Sequence, residues 1–451
     1  MGREAGASLS GSSGSAYDTV IRASRVVREG SEGAAAIAIR DGRIAQIAPI
    51  QARIDAAREF EFGADLAVLP GLVDTHVHVC EPGTDWEGFE TATRAAAAGG
   101  ITTLVDMPID SFPATLTVGA LQEKRDSARG RTYVDVGFWG GAVPDNLDDL
   151  RPLKEAGVLG FKCFLIHPGV PGYELLTPDQ MEKALATCRD LDVPLLVHAE
   201  RADGGAPTPF NSRRYRDYLA SRPKEMENRA IADVIAAARR TGGLAHVVHL
   251  SSSDGVDMIA SARREGVRIT TESCPHYLTL SAEEIPDKGT LFKCSPPIRE
   301  AANRELLWRG LEERVIDMVV SDHAPCTVAM KELESGNFGT AWGGISSVQL
   351  TLSIVWTEAR RRGHSLADVA RWMAEAPAKQ ARLAGKGQIA LGFDADLCIL
   401  APDESFVVEP AKLHHRHPVT PYGGRSLTGV VRETWLRGQR LDLGNPVGRL
   451  C

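Results

Sequence analysis

Two histidines separated by a single valine, His76 and His78, follow an apolar segment over residues 66–73. Side chains two positions apart in a β-strand point to the same face, so both imidazoles can reach one ion. Such pairs also arise by chance, and a histidine at a strand end is often only a hydrogen-bonded core residue. The pair is therefore a candidate metal site whose meaning depends on the rest of the chain.

Further metal-capable side chains stand at the ends of other apolar segments, namely His198, His249 and Asp322. Lys162 lies inside such a segment, where an unpaired ammonium is costly. Each residue alone has an ordinary explanation as a core histidine, a helix cap or half of an ion pair. Together they suit two divalent ions, with Zn²⁺ as the first choice and Mn²⁺, Co²⁺, Fe²⁺ or Ni²⁺ as alternatives.

Residues so far apart in the chain need a scaffold that brings strand ends together. Helical segments alternate with eight apolar strand candidates, at 66–73, 101–105, 134–138, 158–165, 194–197, 246–250, 267–271 and 315–321. This count predicts an α/β fold, a (β/α)₈ TIM barrel, in which reactive groups lie at the carboxyl ends of the strands. A doubly wound open sheet is the alternative, which the lack of a G-x-G-x-x-G motif after the first strand disfavours.

The two ends of the chain have a different character from the middle. Short β-like segments with turn residues, such as Asp41-Gly42, occur both early and late in the sequence. We expect a small β-sandwich domain built from residues 17–67 and 386–445, with the barrel over residues 68–385. Residues 1–16, rich in Gly, Ser and Ala, are expected to form a disordered lead-in.

Composition limits the classes of function. The 451 residues are 43% apolar and 24% charged, and the net charge of −8 argues against nucleic acid as a partner. The eight cysteines are scattered without a CxxC pair, which predicts free thiols and a cytoplasmic location. No apolar run reaches the length of a membrane span, and the N-terminus lacks an apolar signal core.

These features resemble the amidohydrolase superfamily, in particular its cyclic amidases: allantoinases, hydantoinases, dihydropyrimidinases and dihydroorotases. The resemblance covers nearly the whole chain. Its motifs match residues 70–83, 160–164, 197–200, 274–277, 295–299 and 321–325. Within this group the allantoinases are the most similar, through residues 86–88, 160–164, 341–345 and 417–422.

The resemblance implies a site for two divalent metal ions and one modified residue. Lys162 would react with CO₂ to form N6-carboxylysine, which converts a buried cation into an anion shared by both ions. The implied ligands are His76, His78 and Asp322 for one ion, His198 and His249 for the other, and carboxylated Lys162 for both.

The resemblance also implies the reaction, hydrolysis of a cyclic amide in a small-molecule substrate. Asp322 would act as general base, and Ser295 and Gly343 would bind the ring, largely through main-chain groups. The first expected substrate is allantoin, opened to allantoate in purine (ureide) catabolism, and 5-substituted hydantoins or dihydropyrimidines are the alternative. Dihydroorotate is disfavoured because Cys80 stands where dihydroorotases usually have an arginine. The resemblance further implies a homotetramer.

Two non-enzyme classes are weighed against this prediction. A dihydropyrimidinase-like scaffold would keep the barrel but lose metal ligands, whereas all six ligand positions are intact here. A protein that uses metals only for structure would show closed coordination without an open position.

Overall fold

The computed structural model describes residues 3–4, 15–202 and 210–451. Its strands are β1 (Arg3–Glu4), β2 (Tyr17–Arg28), β3 (Ser31–Arg40), β4 (Arg43–Ala48), β5 (Ala56–Phe62), β6 (Ala67–Pro70), β7 (Leu72–Val77), β8 (Ile101–Asp106), β9 (Asp135–Phe138), β10 (Gly140–Gly141), β11 (Phe161–Phe164), β12 (Leu195–His198), β13 (Ala245–Val247), β14 (Ile269–Ser273), β15 (Met318–Val319), β16 (Leu397–Val407), β17 (Ser426–Leu436) and β18 (Gln439–Arg440).

The helices lie mainly between the central strands. They are α1 (Phe89–Ala98), α2 (Val118–Ala128), α3 (Leu150–Glu155), α4 (Pro178–Asp190), α5 (Tyr215–Ser221), α6 (Lys224–Thr241), α7 (Asp254–Arg264), α8 (Pro275–Thr279), α9 (Ala301–Glu312), α10 (Thr351–Arg361), α11 (Leu366–Ala370) and α12 (Ala376–Gln380). In the described part of the chain, none of them is both long and apolar enough to cross a membrane.

The central strands β7 to β15 are all parallel to their neighbours in space. β7, β8 and β9 pair in order, and β10 to β15 continue the series, with β9 and β10 separated only by Trp139. The ring closes through a parallel bridge between Val77 and His323, where the His78 amide donates to the His323 carbonyl at 2.8 Å. Counting β9 and β10 as one position, these eight strands form the predicted (β/α)₈ barrel.

Local sequence explains how a covering helix forms, as α4 illustrates. Thr177 caps its N-terminus, because the side chain of Thr177 accepts from the Gln180 amide while the side chain of Gln180 bonds back to Thr177. Its buried residues recur at helical spacing: Met181, Ala184, Leu185 and Cys188. This apolar stripe packs onto the barrel and joins the main hydrophobic core.

Strands from both ends of the chain form one further sheet of nine strands, where the sequence predicts a β-sandwich. Successive side chains of β16 point to opposite faces of this sheet, one toward the sheet's own core and the next toward the barrel. Leu397 and Ile399 enter a separate cluster with Ile37 and Trp435, whereas Cys398 belongs to the core of the barrel. The sheet therefore has its own small core on one face and packs against the barrel with the other.

The first predicted strand, at 66–73, is wrong in its bounds. Residues 67–70 form β6 of the terminal sheet, and the barrel strand β7 begins at Leu72 and runs through His76. Gly71 lies between the two strands. Only glycine fits at this position, because a Cβ there would lie 2.3 Å from Oγ1 of Thr102. Its amide instead donates to the Asp396 carbonyl at 2.8 Å.

The segment expected to be a disordered lead-in falls mostly outside the described residues. Residues 1–2 and 5–14 are not described. Arg3 and Glu4 pair antiparallel with Glu61 and Phe60 of β5, so part of this segment extends the terminal sheet.

Candidate active site

One pocket of about 350 Å³ opens at the carboxyl ends of the barrel strands. All six residues expected to hold metal line it: His76, His78, Lys162, His198, His249 and Asp322. They come from five strands or the loops directly after them. The barrel thus brings together residues that are 246 positions apart at the extremes, from 76 to 322.

His76, His78 and Asp322 form the tightest group. Nε2 of His76 lies 3.2 Å from Oδ1 of Asp322, and Nε2 of His78 lies 3.6 Å from the same oxygen. One donor atom from each residue falls within 4.8 Å of the others, a spacing that suits a single ion. Burial raises the pKa of Asp322, but the two imidazoles outweigh it and lower the pKa to about 2.

Two residues of the site adopt backbone conformations that are rare for their type. Asp322 has φ of 44° and His249 has φ of 39°. Non-glycine residues at positive φ are strained and occur often at functional sites. His249 lies two residues after β13 and Asp322 three residues after β15, so these conformations turn their side chains at the mouth of the barrel.

Glu272, at the end of β14, orients His76. One of its oxygens accepts from Nδ1 of His76 and the other accepts from Nε2 of His246 at 3.0 Å. Burial raises the pKa of Glu272, but His76 and His246 outweigh it and hold the pKa well below its usual range. We did not predict this residue. It directly follows the strand predicted at 267–271, so the strand-end rule that selected the histidines would have found it.

Asp110 plays the corresponding part for His78, because its Oδ2 lies 2.8 Å from Nδ1 of His78. This contact leaves Nε2 of His78 facing Asp322. Asp110 lies in the loop after β8, four residues beyond the end of the strand. No local spacing links it to His78, so this contact could not be predicted from the sequence.

His198 and His249 lie side by side, with ring centroids 4.6 Å apart. Nε2 of His198 contacts Glu200 at 2.8 Å, and Glu200 is in turn paired with Arg222 at 2.6 Å. The other nitrogen of His198 is thereby left for a metal. Nδ1 of His249 is buried and has no hydrogen-bond partner among the residues that the structure describes.

Lys162 is buried in β11 with only 1% of its surface exposed. Within the described ranges its Nζ makes no hydrogen bond or ion pair, and its one aromatic contact is the ring of Phe164 at 5.0 Å. Burial lowers the pKa of Lys162 to about 8, although Glu272 and Asp322 act in the opposite direction. A buried, unpaired amine of lowered pKa is a good nucleophile for CO₂. These observations fit a carboxylated lysine and two cations.

Ser295 and Gly343, expected to bind the substrate, lie next to each other in the wall of the pocket. A Cβ built on Gly343 would lie 3.6 Å from Oγ of Ser295, and both residues line the pocket. The hydroxyl of Tyr218 holds this wall, with contacts of 2.8 Å to Oγ of Ser295 and 2.7 Å to the Cys294 carbonyl.

Comparison with known proteins places the chain in a family. The model of the amidohydrolase family matches residues 67–441, so the chain belongs to the amidohydrolase family. An allantoinase of Streptomyces avermitilis is 53% identical over 439 residues, which cover 96% of this chain and 98% of that protein. An allantoinase of Saccharomyces cerevisiae is 44% identical over 380 residues, covering 82% of each chain.

Among solved structures, the L-hydantoinase (dihydropyrimidinase) of Arthrobacter aurescens is similar, with a TM-score of 0.89 and 30% identity. The match covers 96% of this chain and 99% of that one. The barrel and the terminal sheet are therefore shared with a cyclic amidase over almost their full length.

Proposed function

We propose that the protein hydrolyses the hydantoin ring of allantoin and releases allantoate, a step of purine (ureide) catabolism. Water adds to a ring carbonyl, the adjacent carbon–nitrogen bond breaks, the new acid becomes a carboxylate and the nitrogen leaves with a proton. The convergence of six ligand-type side chains on one pocket carries the proposal. The choice of allantoin is supported by relatives named allantoinase that align along most of the chain.

We propose two divalent ions in this pocket, Zn²⁺ by ligand type. His76, His78 and Asp322 would hold one ion and His198 with His249 the other, while Lys162, carboxylated by CO₂, would contact both. The unpaired amine of Lys162 and the unpartnered Nδ1 of His249 support this assignment. Bound divalent cations acidify water and polarise a carbonyl oxygen, which is the chemistry that amide hydrolysis needs.

The chain itself would supply orientation and proton transfer. Asp322, with its lowered pKa, is an anion at neutral pH and can accept a proton from the attacking water. Returned to the departing ring nitrogen, that proton completes the reaction. Ser295 and the Gly343 loop would hold the ring, and the Tyr218 hydroxyl fixes Ser295 for this task.

A second candidate is a hydantoinase or dihydropyrimidinase, and the similarity to the Arthrobacter aurescens enzyme supports it. Ring opening has the same chemistry in both cases, so the size of the ring and the substituent on it separate the two candidates. Relatives named allantoinase support an enzyme, so a dihydropyrimidinase-like scaffold without activity is kept only as an outcome of the test.

The test is an assay of the metal-loaded full-length protein with racemic allantoin, hydantoin, dihydrouracil and dihydroorotate side by side. We expect the ureido acid to form fastest from allantoin. Rapid opening of hydantoin or dihydrouracil without turnover of allantoin would replace the first candidate by the second. An absence of turnover with every ring, in protein shown to hold two ions per chain, would favour the scaffold.

We also propose that the protein works in the reducing cytoplasm and assembles as a homotetramer. All eight cysteines are free thiols and seven of them are buried, which is consistent with the first proposal. Thiol titration of the protein isolated under anaerobic conditions tests the compartment, with eight free thiols expected. Light scattering on a sizing column tests the assembly, and a monomer would contradict it.

A further inference from the structure

Two lysines hold the loop that carries Gly343. Nζ of Lys293 donates to the carbonyl of Ala341, and Nζ of Lys331 donates to the carbonyls of Trp342, at 3.2 Å, and Gly344. Neither lysine has a carboxylate within ion-pair distance in the described part of the chain. Both ammonium groups therefore donate hydrogen bonds to backbone carbonyls and form no ion pair with acidic side chains there.

The two lysines differ in one respect that matters for recognition. Lys293 lines the pocket and is half-buried, whereas Lys331 is buried behind the loop and does not line the pocket. The ammonium of Lys293 lies 5.4 Å from the centre of the Tyr218 ring, and its one hydrogen bond uses a single proton of three. Lys293 thus keeps donor capacity toward the pocket.

The surroundings of Lys293 favour an oxygen acceptor from a ligand. Burial and the cations of Arg222 and Lys331 lower the pKa of Lys293 to about 8, so the ammonium persists at neutral pH. Arg222 is already paired with Glu200, so this carboxylate cannot neutralise Lys293. A carbonyl oxygen, which only accepts hydrogen bonds, suits such a donor.

The position of Lys293 relative to Ser295 indicates which part of the ligand it reaches. Lys293 has extended backbone angles (φ −71°, ψ 121°), and Ser295 follows two residues later with both side chains on the pocket. Two extended residues span about 6–7 Å. A ring held at Ser295 can therefore extend a short substituent along the pocket toward Lys293.

We propose that Lys293 determines specificity by donating a hydrogen bond to the carbonyl oxygen of the ureido substituent on the ring. This inference rests on the proposed function and deepens it, because it names the group that separates allantoin from unsubstituted hydantoin. Lys331, which holds the same loop from behind, acts only as a positioning residue.

The test compares Lys293→Met with the matched control Lys331→Met in metal-loaded full-length enzyme. For each variant, kcat/KM is measured for allantoin, and the affinity for hydantoin is measured either as a substrate or as an inhibitor of allantoin opening. For Lys293→Met we expect the loss on allantoin to exceed the loss on hydantoin by about tenfold or more, mainly through KM, as expected for a hydrogen bond to a charged group. For Lys331→Met we expect equal losses on both rings.

Parallel losses on both rings in Lys293→Met would overturn the inference and leave Lys293 as a second loop anchor. Lys293→Gln, which keeps a donor, serves if the methionine variant fails to fold, and we expect it to retain part of the discrimination. Failure of the proposed function is distinguishable, since it would appear in the unmodified enzyme as no opening of allantoin. In that case the same comparison with a hydantoin bearing a carbonyl-containing substituent tests Lys293.

Discussion

Glu272 accepts a hydrogen bond from Nδ1 of His76, and this contact fixes which nitrogen of His76 faces the pocket. Nε2 of His76 is left 3.2 Å from Asp322, among the proposed metal ligands. A second histidine, His246, supports Glu272 from the other side at 3.0 Å. The carboxylate thus sets both the orientation and the tautomer of His76.

We predict that Glu272→Gln weakens metal binding by about 10–100-fold, the usual cost of losing a carboxylate behind a histidine ligand. The amide keeps an oxygen acceptor but loses the negative charge that strengthens His76 as a donor of electrons. Competition with a chromophoric chelator measures the affinity for Zn²⁺. Glu313→Gln, at an exposed helix end, is the control and should bind Zn²⁺ like the unmodified protein. Equal affinities in all three proteins would contradict the assigned part of Glu272.

Residue type and strand-end position were sufficient to predict which six side chains meet in the pocket, because imidazoles and a lysine in apolar strands have few other reasons to occur there. Asp110 and Glu272 were not predicted. Their partners lie far away in the sequence, and an acidic residue after a strand is common for other reasons. Glu272 stands at a strand end and could have been selected by its position, whereas the contact of Asp110 with His78 depends on the closed barrel and leaves no trace in local spacing.

The bounds of the first barrel strand show a second limit of sequence patterns. Residues 66–73 are apolar throughout, and both β6 and β7 are completely buried. Periodicity cannot separate two buried strands that follow each other without a polar residue. Only the close approach of Thr102 to Gly71 reveals why the chain changes from one sheet to the other at this point.

Lys162 gives a second prediction. Lys162→Ala should abolish ring opening, because the proposed bridging anion is lost and both ions are held by fewer ligands. Short carboxylic acids such as acetate or propionate should restore part of the activity by filling the vacated space with an anion. Metal content per chain, measured beside activity, should fall in the variant and rise again with the acid. Full activity of Lys162→Ala without any added acid would refute carboxylation.

The junction between barrel and terminal sheet gives a third prediction. Nζ of Lys386 lies 2.7 Å from Asp135 at the start of β9 and 2.7 Å from Asp396 just before β16. Removing the cation leaves the buried Asp396 without its ammonium partner, while Asp135 keeps its ion pair with Arg437, so Lys386→Met should cost about 3 kcal/mol of stability. Urea denaturation, monitored by fluorescence, measures the loss of stability.

The matched control for Lys386 is Lys412→Met, which removes an ion pair with Glu409 that is largely exposed to solvent. Exposed ion pairs contribute little to the stability of the fold, so this variant should unfold at the same urea concentration as the unmodified protein. Similar midpoints for both variants would show that the buried cluster does not hold the two parts of the molecule together.

Gly343 and Gly344, which are adjacent in the loop proposed to bind the substrate, give the last prediction. A Cβ on Gly343 meets nothing closer than 3.6 Å, whereas a Cβ on Gly344 would lie 2.3 Å from the carbonyl oxygen of Ala324. Gly343→Ala should therefore fold normally but raise KM about tenfold, because the new methyl group occupies space meant for the ring. Gly344→Ala should lose about 1–3 kcal/mol of stability through the forced backbone shift. Thermal melting and steady-state kinetics on both variants separate the two effects, and an unchanged KM in Gly343→Ala would remove Gly343 from the proposed binding site.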